Sequence, residues 1–326
     1  MTRTDTADLT GRRIRVGLDV GGTKIDAVGV GPSGDILGRI RRSTGWGDDA
    51  VVESIVMAVT SLADEAGFPV SEIGSVGIGI PGLVDVEEGR VEHAVNLGVE
   101  SLDLAARAER MLGIPFRVEN DVKAAALGAA VLSGVAGSMA YLNLGTGVAA
   151  GIVVGGRIWR GSRGTAGEVG HLSVDPHGRL CGCGQLGCIE TFCGGGALAR
   201  AWGRPGALPI RDIFDAADAG DPDALVLRGD LFHGAAAAVR VLVLSADVET
   251  VVIGGGLTAL GARLEEGIRT ALRAEAETSP FMRSLHLDER IELLPAGSPA
   301  AAFGAALVGA SVPEKSVPEK EIVPHG

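Results

Sequence analysis

Two stretches of this sequence repeat one device: an apolar run of strand character enters a short glycine turn, and a second such run leaves it. The first is Ile14 to Val20, the turn Gly21-Gly22-Thr23-Lys24, and Ile25 to Val30. The second is Met139 to Leu144, the turn Gly145-Thr146-Gly147, and Ala149 to Val154, with a further strand near Arg157 to Trp159. Aliphatic and β-branched runs bounded by glycine read as paired strands. A third turn, Gly254-Gly255-Gly256, ends a strand from Thr250 to Ile253. Recurrence of a phosphate-type turn points to a duplicated domain. Three glycine turns at strand ends fit a nucleotide gripped between two lobes, because backbone amides there meet an anion without side-chain obstruction.

The segments between these turns alternate in character. A strand near Asp35 to Arg41 completes a meander, and Asp49 to Ala66 has helical period, with Val52, Ile55, Val56, Val59 and Leu62 on one face. A strand from Val76 to Ile80 ends in Pro81-Gly82. A loop around Asn96, a helix from about Leu102 to Leu112 and a strand from Pro115 to Glu119 follow, and Asn120-Asp121 then opens an uncharged helix near Val122 to Leu132. Helices are also expected over Asp230 to Leu244 and Leu260 to Glu277. The fold class expected is α/β, two-lobed, with a cleft between duplicated α/β domains. A length of 326 residues is ample for two domains. With 51 glycines against 7 Phe, 3 Trp and 1 Tyr, the core must be built from Ala, Val, Leu and Ile.

Several classes are disfavoured. Lys and Arg number 29 against 41 Asp and Glu, a net charge of -12, and no basic run is present to neutralise a row of phosphates, so nucleic acid is not the expected partner. Ala124 to Gly156 carries no charge over more than a membrane span's length. Its glycines, Ser133, Ser138, Asn143 and Thr146 break it into a helix and two strands, which read as buried core rather than membrane. Met1 to Arg13 has no apolar h-region, so no secretory signal is expected and the cytoplasm is the default. Ser311-Val312-Pro313-Glu314-Lys315 recurs as Ser316 to Lys320 without an apolar face, and 311–326 is expected to be a disordered tail.

Chemistry concentrates in a few places. Asp19, Gly21, Gly22, Thr23 and Lys24 place an acid, open amides, a hydroxyl and an ammonium at one strand end; alone, this is equally an ordinary hairpin turn. The Walker spacing Gly-x4-Gly-Lys-Ser/Thr is absent. Gly77-Ile78-Gly79-Ile80-Pro81-Gly82 matches the dinucleotide fingerprint letter for letter, but its glycines lie within a strand and no helix follows, so a nicotinamide site is rejected. Cys181, Cys183 and Cys188, preceded by His171, suit a closed tetrahedral zinc site better than a disulfide in a chain of cytoplasmic character. Cys193 is left over as a small buried residue. Asp121 reads locally as a helix N-cap. Glu168, His171 and Glu190 flank the cysteines, so zinc would fix the loop that carries these acids. Carboxylates beside a phosphate-binding turn suit phosphorylation of a sugar hydroxyl, which needs hydroxyl acceptors and one base.

From Ile14 to about Ala310 the sequence resembles the ROK family of bacterial sugar kinases and sugar-responsive repressors. The resemblance rests on Leu18-Asp19-Val20-Gly21-Gly22-Thr23-Lys24, Gly79-Ile80-Pro81-Gly82, Glu119-Asn120-Asp121, Leu144-Gly145-Thr146-Gly147, Gly167-Glu168-Val169-Gly170-His171 and Cys181 to Glu190. It implies a two-lobed actin-like ATPase (ribonuclease H-like) fold, with residues 1–121 plus about 297–310 as a small domain and 122–296 as a large domain with the zinc loop. It implies ATP-dependent phosphorylation of a hexose 6-hydroxyl, glucose first, with kanosamine, N-acetylmannosamine or fructose behind it. Asp121 would be the base. Asn96, Asn120, Glu168, His171 and Glu190 would hold the sugar, His171 sharing its other ring nitrogen with zinc. Asp19 would assist Mg2+, the turns at 22–24 and 145–147 would hold phosphates, and Gly254, Gly255 and Gly256 would lie by the adenosine. A homodimer is implied on the same ground.

Two departures bear on the sugar. Lys123 stands where relatives often carry Asn, and the loop Asn96-Leu97-Gly98-Val99 lacks the tryptophan often found there. A non-catalytic sugar sensor is the competing class. Repressors of this kind carry an N-terminal helix-turn-helix, for which a first strand at Ile14 leaves no room. Some relatives use polyphosphate, but those as a rule lack this cysteine cluster, so ATP is the expected donor.

Overall fold

The computed structural model describes residues 13–310. The expected tail, 311–326, lies outside them. In chain order the elements are β1 (Ile14–Val20), β2 (Lys24–Val30), β3 (Ile36–Ser43), α1 (Asp48–Ala66), β4 (Ile73–Ile80), β5 (Leu83–Asp85), β6 (Arg90–Ala94), β7 (Val99–Leu102), α2 (Leu104–Leu112), β8 (Phe116–Asn120) and α3 (Asp121–Leu132). The second half holds β9 (Ser138–Leu144), β10 (Val148–Val154), β11 (Arg157–Ile158), α4 (Ile189–Cys193), α5 (Gly195–Trp202), α6 (Pro209–Asp218), α7 (Pro222–Ala246), β12 (Thr250–Gly254), α8 (Ala262–Ala276), α9 (Pro280–Ser284), β13 (Ile291–Leu293) and α10 (Ala300–Ala310).

The duplication read from the glycine turns is present in the sheets. One has the order β3-β2-β1-β4-β8 and the other β11-β10-β9-β12-β13, each an antiparallel meander continued by two parallel strands. Parallel pairing needs crossover connections, and α1 makes one of them between β3 and β4. Its buried stripe is Val51, Val52, Ile55, Ala58, Val59, Leu62 and Ala63. Each large aliphatic side chain there contributes about 1.5–3 kcal/mol on burial. A small antiparallel sheet, β5-β6-β7, lies between β4 and α2, where the sequence shows only a loop around Asn96. The helix expected from Asp230 starts earlier, at Pro222, because the Asp221 side chain caps it by accepting from the Asp223 and Ala224 amides. Among the described residues α7 is the one helix long and apolar enough to cross a membrane, and it is packed into the core of the second half instead.

Between the two sheets lie α10 and α3. On one side α10 rests on β1, β2 and β4; α3 packs against β10 of the other sheet and shares a core with Met139, Tyr141, Val153 and Val252. The layers approach at backbone distance. A Cβ on Gly77 would lie 1.7 Å from the Ala305 carbonyl oxygen, and one on Gly304 would lie 1.8 Å from that of Ala124. This explains two of the three glycines of β4: Gly77 makes room for α10, and Gly79 lies against Asp121 and Ala124 of α3. The dinucleotide-like spelling is a packing solution.

Candidate active site

The first glycine turn joins β1 to β2 and is closed by the Gly21 amide donating to the Lys24 carbonyl at 2.9 Å. Thr23 and Lys24 are exposed. Asp19, just before the turn, pairs across β1–β4 with Gly79, over which the start of α3 sits. Asp19 and Asp121 are therefore neighbours. Burial, then the Asp121 and Asp26 carboxylates, raise Asp19 to about 7 against the partial relief of Lys24 and Arg39. Burial likewise lifts the Asp121 carboxyl above the ordinary range, opposed by hydrogen bonds from the Val122 and Asp121 amides and by the Lys123 charge, and reinforced by Glu168.

The helix cap falls to Asn120, not Asp121. The Asn120 Oδ1 accepts from Val122 N at 3.1 Å and Lys123 N at 3.2 Å, and Asp121 Oδ1 accepts from Val122 N at 2.9 Å. With its oxygen committed, the Asn120 side chain has only N–H donors left to offer a ligand. Lys123 is buried on the same first turn, and its side-chain ammonium makes no hydrogen bond or ion pair among the described residues.

The second and third turns are adjacent because β9 pairs with β12, Asn143 opposite Gly254. Gly145 N–H donates to Gly147 O at 3.1 Å, and the start of α5 closes on this turn through Gly195 N to Gly145 O and Gly196 N to Thr146 O, both 2.8 Å. Glu190, on α4, reaches the same turn: its Oε2 accepts from Val148 N at 3.0 Å. Gly255 packs on the Leu144 carbonyl, while Gly256 is exposed at the start of a short 3-10 turn. Asn96 is exposed, and its backbone packs on Gly22.

All four cysteines are free. His171, Cys181, Cys183 and Cys188 bring one donor atom each within 4.8 Å of one another, forming a possible Cys3His metal site. Cys183 and Cys188 Sγ are 3.6 Å apart, and Cys181 Sγ is 3.7 Å from His171 Nδ1. A tetrahedron with Zn–S of about 2.3 Å has edges of about 3.8 Å, so the donor set fits that ion. The Gln185 backbone and side-chain N–H groups hold Cys183 at about 6, the thiolate state that metal ligation needs, while burial pushes Cys188 up to about 12. His171 turns Nδ1 toward the sulfurs, which leaves Nε2 for another partner. Cys193 is fully buried and its thiol is held neutral by that burial.

Three contributors escaped sequence reading. Tyr141, the chain's only tyrosine, supports the third turn: its hydroxyl accepts from Gly255 N–H, and its ring occupies the space beside Gly254. A lone tyrosine inside an apolar strand was the available signal. Trp46, from the connection before α1, lies on Gly98, so the Asn96 loop has a tryptophan beside it after all, supplied by a distant segment. Arg160 pairs with buried Glu119, the residue before Asn120.

The sequence profile described as the ROK family matches residues 15–309. The chain belongs to the ROK family. It is 32% identical to a glucokinase from Halalkalibacterium halodurans, over 80% of this chain and 86% of that protein. The ROK hexokinase of Thermus thermophilus superposes with a TM-score of 0.74 at 34% identity, covering 91% of this chain and 97% of that one. A ROK family glucokinase from Streptomyces griseus, solved with glucose and AMPPNP, gives 0.73 at 31% identity, covering 91% and 99%. These neighbours have the two-lobed actin-like ATPase fold, and so does this chain.

Proposed function

We propose that this protein is an ATP-dependent hexose kinase that phosphorylates the 6-hydroxyl of glucose. The observation that carries the reading is the meeting, at one place, of a carboxylate on a helix N-terminus and three glycine turns: Asp121 neighbours Asp19 at the first turn, and Tyr141, which props the third turn, lies within the field of both acids. Similarity to glucokinases, one solved with glucose and AMPPNP, supports the substrates.

In this reading Asp121 accepts the proton of the attacking hydroxyl, and its raised proton affinity suits a base that must capture a proton in a dry site. Asn120 donates to one sugar hydroxyl. Glu168, Glu190 and the free ring nitrogen of His171 take others, and exposed Asn96 closes the rim. Amides of Gly21, Gly22, Gly145 and Gly147, with Thr23, Lys24 and Thr146, hold phosphate oxygens, and Gly254 to Gly256 flank the adenosine. Asp19, a carboxylate crowded by other acids, suits a hard divalent cation; Mg2+ there would neutralise phosphate charge. Zinc on His171, Cys181, Cys183 and Cys188 would tie the loop between Glu168 and Glu190. Residues 1–121 with 297–310, and 122–296, act as the lobes that close on the sugar, in a cytoplasmic homodimer.

The test is ADP release with ATP and Mg2+ across glucose, fructose, N-acetylmannosamine and kanosamine, for wild type and Asp121→Asn. Preference for glucose and loss of turnover in the variant with sugar affinity retained are expected. An amino or N-acyl sugar winning would move the specificity to Lys123 and the Asn96 loop; wild-type turnover in Asp121→Asn would refute the base.

A further inference from the structure

Glu119 is buried at the end of β8, with its side chain 2% exposed. Both carboxylate oxygens are used. Oε2 accepts from Arg160 Nε at 2.8 Å and lies 2.6 Å from a second guanidinium nitrogen, and Oε1 accepts from the Asn120 amide at 3.0 Å. One side chain therefore holds the backbone of Asn120 with one hand and Arg160 with the other. Arg160 is not a passing surface residue. It opens the loop after β11, which is closed by Ala166 N–H donating to the Arg160 carbonyl at 3.2 Å. Gly167 comes next, with φ of +98°, pressed on β10 so closely that a Cβ would lie 1.9 Å from Ala150 O; its own carbonyl accepts from Ala150 N–H at 2.7 Å. Glu168 follows directly. Arg160 thus anchors the loop that delivers Glu168, while its partner anchors the pair Asn120-Asp121.

We propose that Arg160 is a positioning residue for sugar phosphorylation: through Glu119 it sets the spacing between Asn120-Asp121 at the junction of β8 and α3 and Glu168 on the facing loop, and so the seat of the hexose. This rests on the hexose kinase reading above. Stability alone gives no reason for the pair, since apolar replacements of buried ion pairs are often neutral or better. What the pair supplies is direction. A planar guanidinium presents two donors to one oxygen from a fixed angle, which an ammonium on a flexible stem does not reproduce.

The experiment compares wild type, Arg160→Lys, Arg160→Met, the double variant Glu119→Gln/Arg160→Met and Asp121→Asn, with D-glucose and ATP varied separately and unfolding followed by calorimetry. Glu119→Gln keeps an oxygen for the Asn120 amide, so the double variant removes the buried charge together with its partner. Arg160→Met is expected to raise the KM for glucose on the order of tenfold and to lower kcat, because angstrom-scale misplacement of reacting groups costs up to about 100-fold. The KM for ATP should stay within about twofold, because the glycine turns are untouched. The double variant should recover the Tm lost in Arg160→Met yet keep the raised glucose KM, and Arg160→Lys should fall between. Recovery of both Tm and glucose KM in the double variant, or a rise in the KM for ATP in step with that for glucose, overturns the proposal and leaves Arg160 a structural strut. Wild-type turnover in Asp121→Asn, or no turnover of glucose by the wild type, overturns the underlying reading and this inference with it.

Discussion

Replacing Asp19 with Asn should separate stability from activity in opposite directions. Asp19 lies near the end of β1 beside the first glycine turn, with its carboxyl raised from 3.8 to about 7, first by burial and then by Asp121 and Asp26. The folded chain binds this proton more tightly than the unfolded chain does, so the contribution to stability is fully present below pH 3.8 and is lost as pH rises through 7. At about 1.4 kcal/mol per unit, the ionised carboxylate costs the metal-free fold up to about 4 kcal/mol. Asp19 is only partly shielded from solvent, and screening reduces this to about 1–3 kcal/mol. With about 2.1 cal/mol/K of unfolding entropy per residue, a chain of this size should gain about 2–4 °C in Tm at pH 8 when the charge is removed. Calorimetry of wild type and Asp19→Asn in EDTA at pH 8 and again at pH 4 measures this, with ADP release assayed in parallel. The gain should be present at pH 8 and nearly absent at pH 4, where both side chains are neutral, while turnover collapses. An equal increment at both pH values, or a lower Tm at pH 8, would refute the electrostatic account of Asp19.

Other outcomes follow from the same geometry. Because kcat/KM reports the free enzyme's ionisations, its acid limb should fall above the usual carboxylate value, and Glu168→Gln should move that limb to lower pH by removing a charge that raises Asp121; a limb that stays in place excludes Asp121 as the titrating base. Stripping the Cys3His cluster with a chelator should release about one zinc per chain and weaken glucose binding by about tenfold or more. Cys188→Ser should lose the metal, while Cys193→Ser should keep it; metal analysis distinguishes them. Gly77→Ala should destabilise by about 3 kcal/mol or more, since the new methyl meets the α10 backbone at Ala305 and Gly309, whereas Gly229→Ala, with nothing within 4 Å, should stabilise by about 0.5–1 kcal/mol. Denaturant titration reads both.

What could be read from the sequence was what is written locally. The strands around each glycine turn have strong apolar runs with glycine punctuation, and their repetition was enough to anticipate a duplicated domain. The strands β5 to β7 were invisible because each has only three to five residues and carries charges such as Asp85, Glu92 and Glu100. Helix α10 has no apolar stripe, since Ala300 to Ala310 is small or apolar on every side, as a helix covered all round must be. For α7 the signal was present in Asp221-Pro222, a cap followed by proline at the first helical position, but the apolar run beyond Asp230 is louder. At the site, Asn120 and Asp121 are both good caps, and sequence does not decide between adjacent positions. The Glu119–Arg160 pair spans 41 residues. Only the crossover of the chain between sheets brings it together, and no local pattern encodes that. Trp46 over Gly98 is hidden for the same reason.

The stack of β-sheet, α10, α3 and β-sheet has one more implication. Where α10 meets β1, β4 and α3, the closest approaches are main chain and methyl groups, with Gly17, Gly77, Gly128 and Gly304 where longer side chains would otherwise interlock. Helices that mesh through ridges and grooves must climb out of register to slide, and each step waits on side chains changing rotamer. A smooth seam has no such teeth. The first sheet and α3 are therefore held against α10 by dispersion over backbone and methyl surface, with few side chains that must change rotamer before one layer shifts on the other. Added bulk is what such a seam cannot take: α10 is covered on both sides, so a side chain larger than methyl at Ala302, Ala305 or Ala306 has nowhere to go.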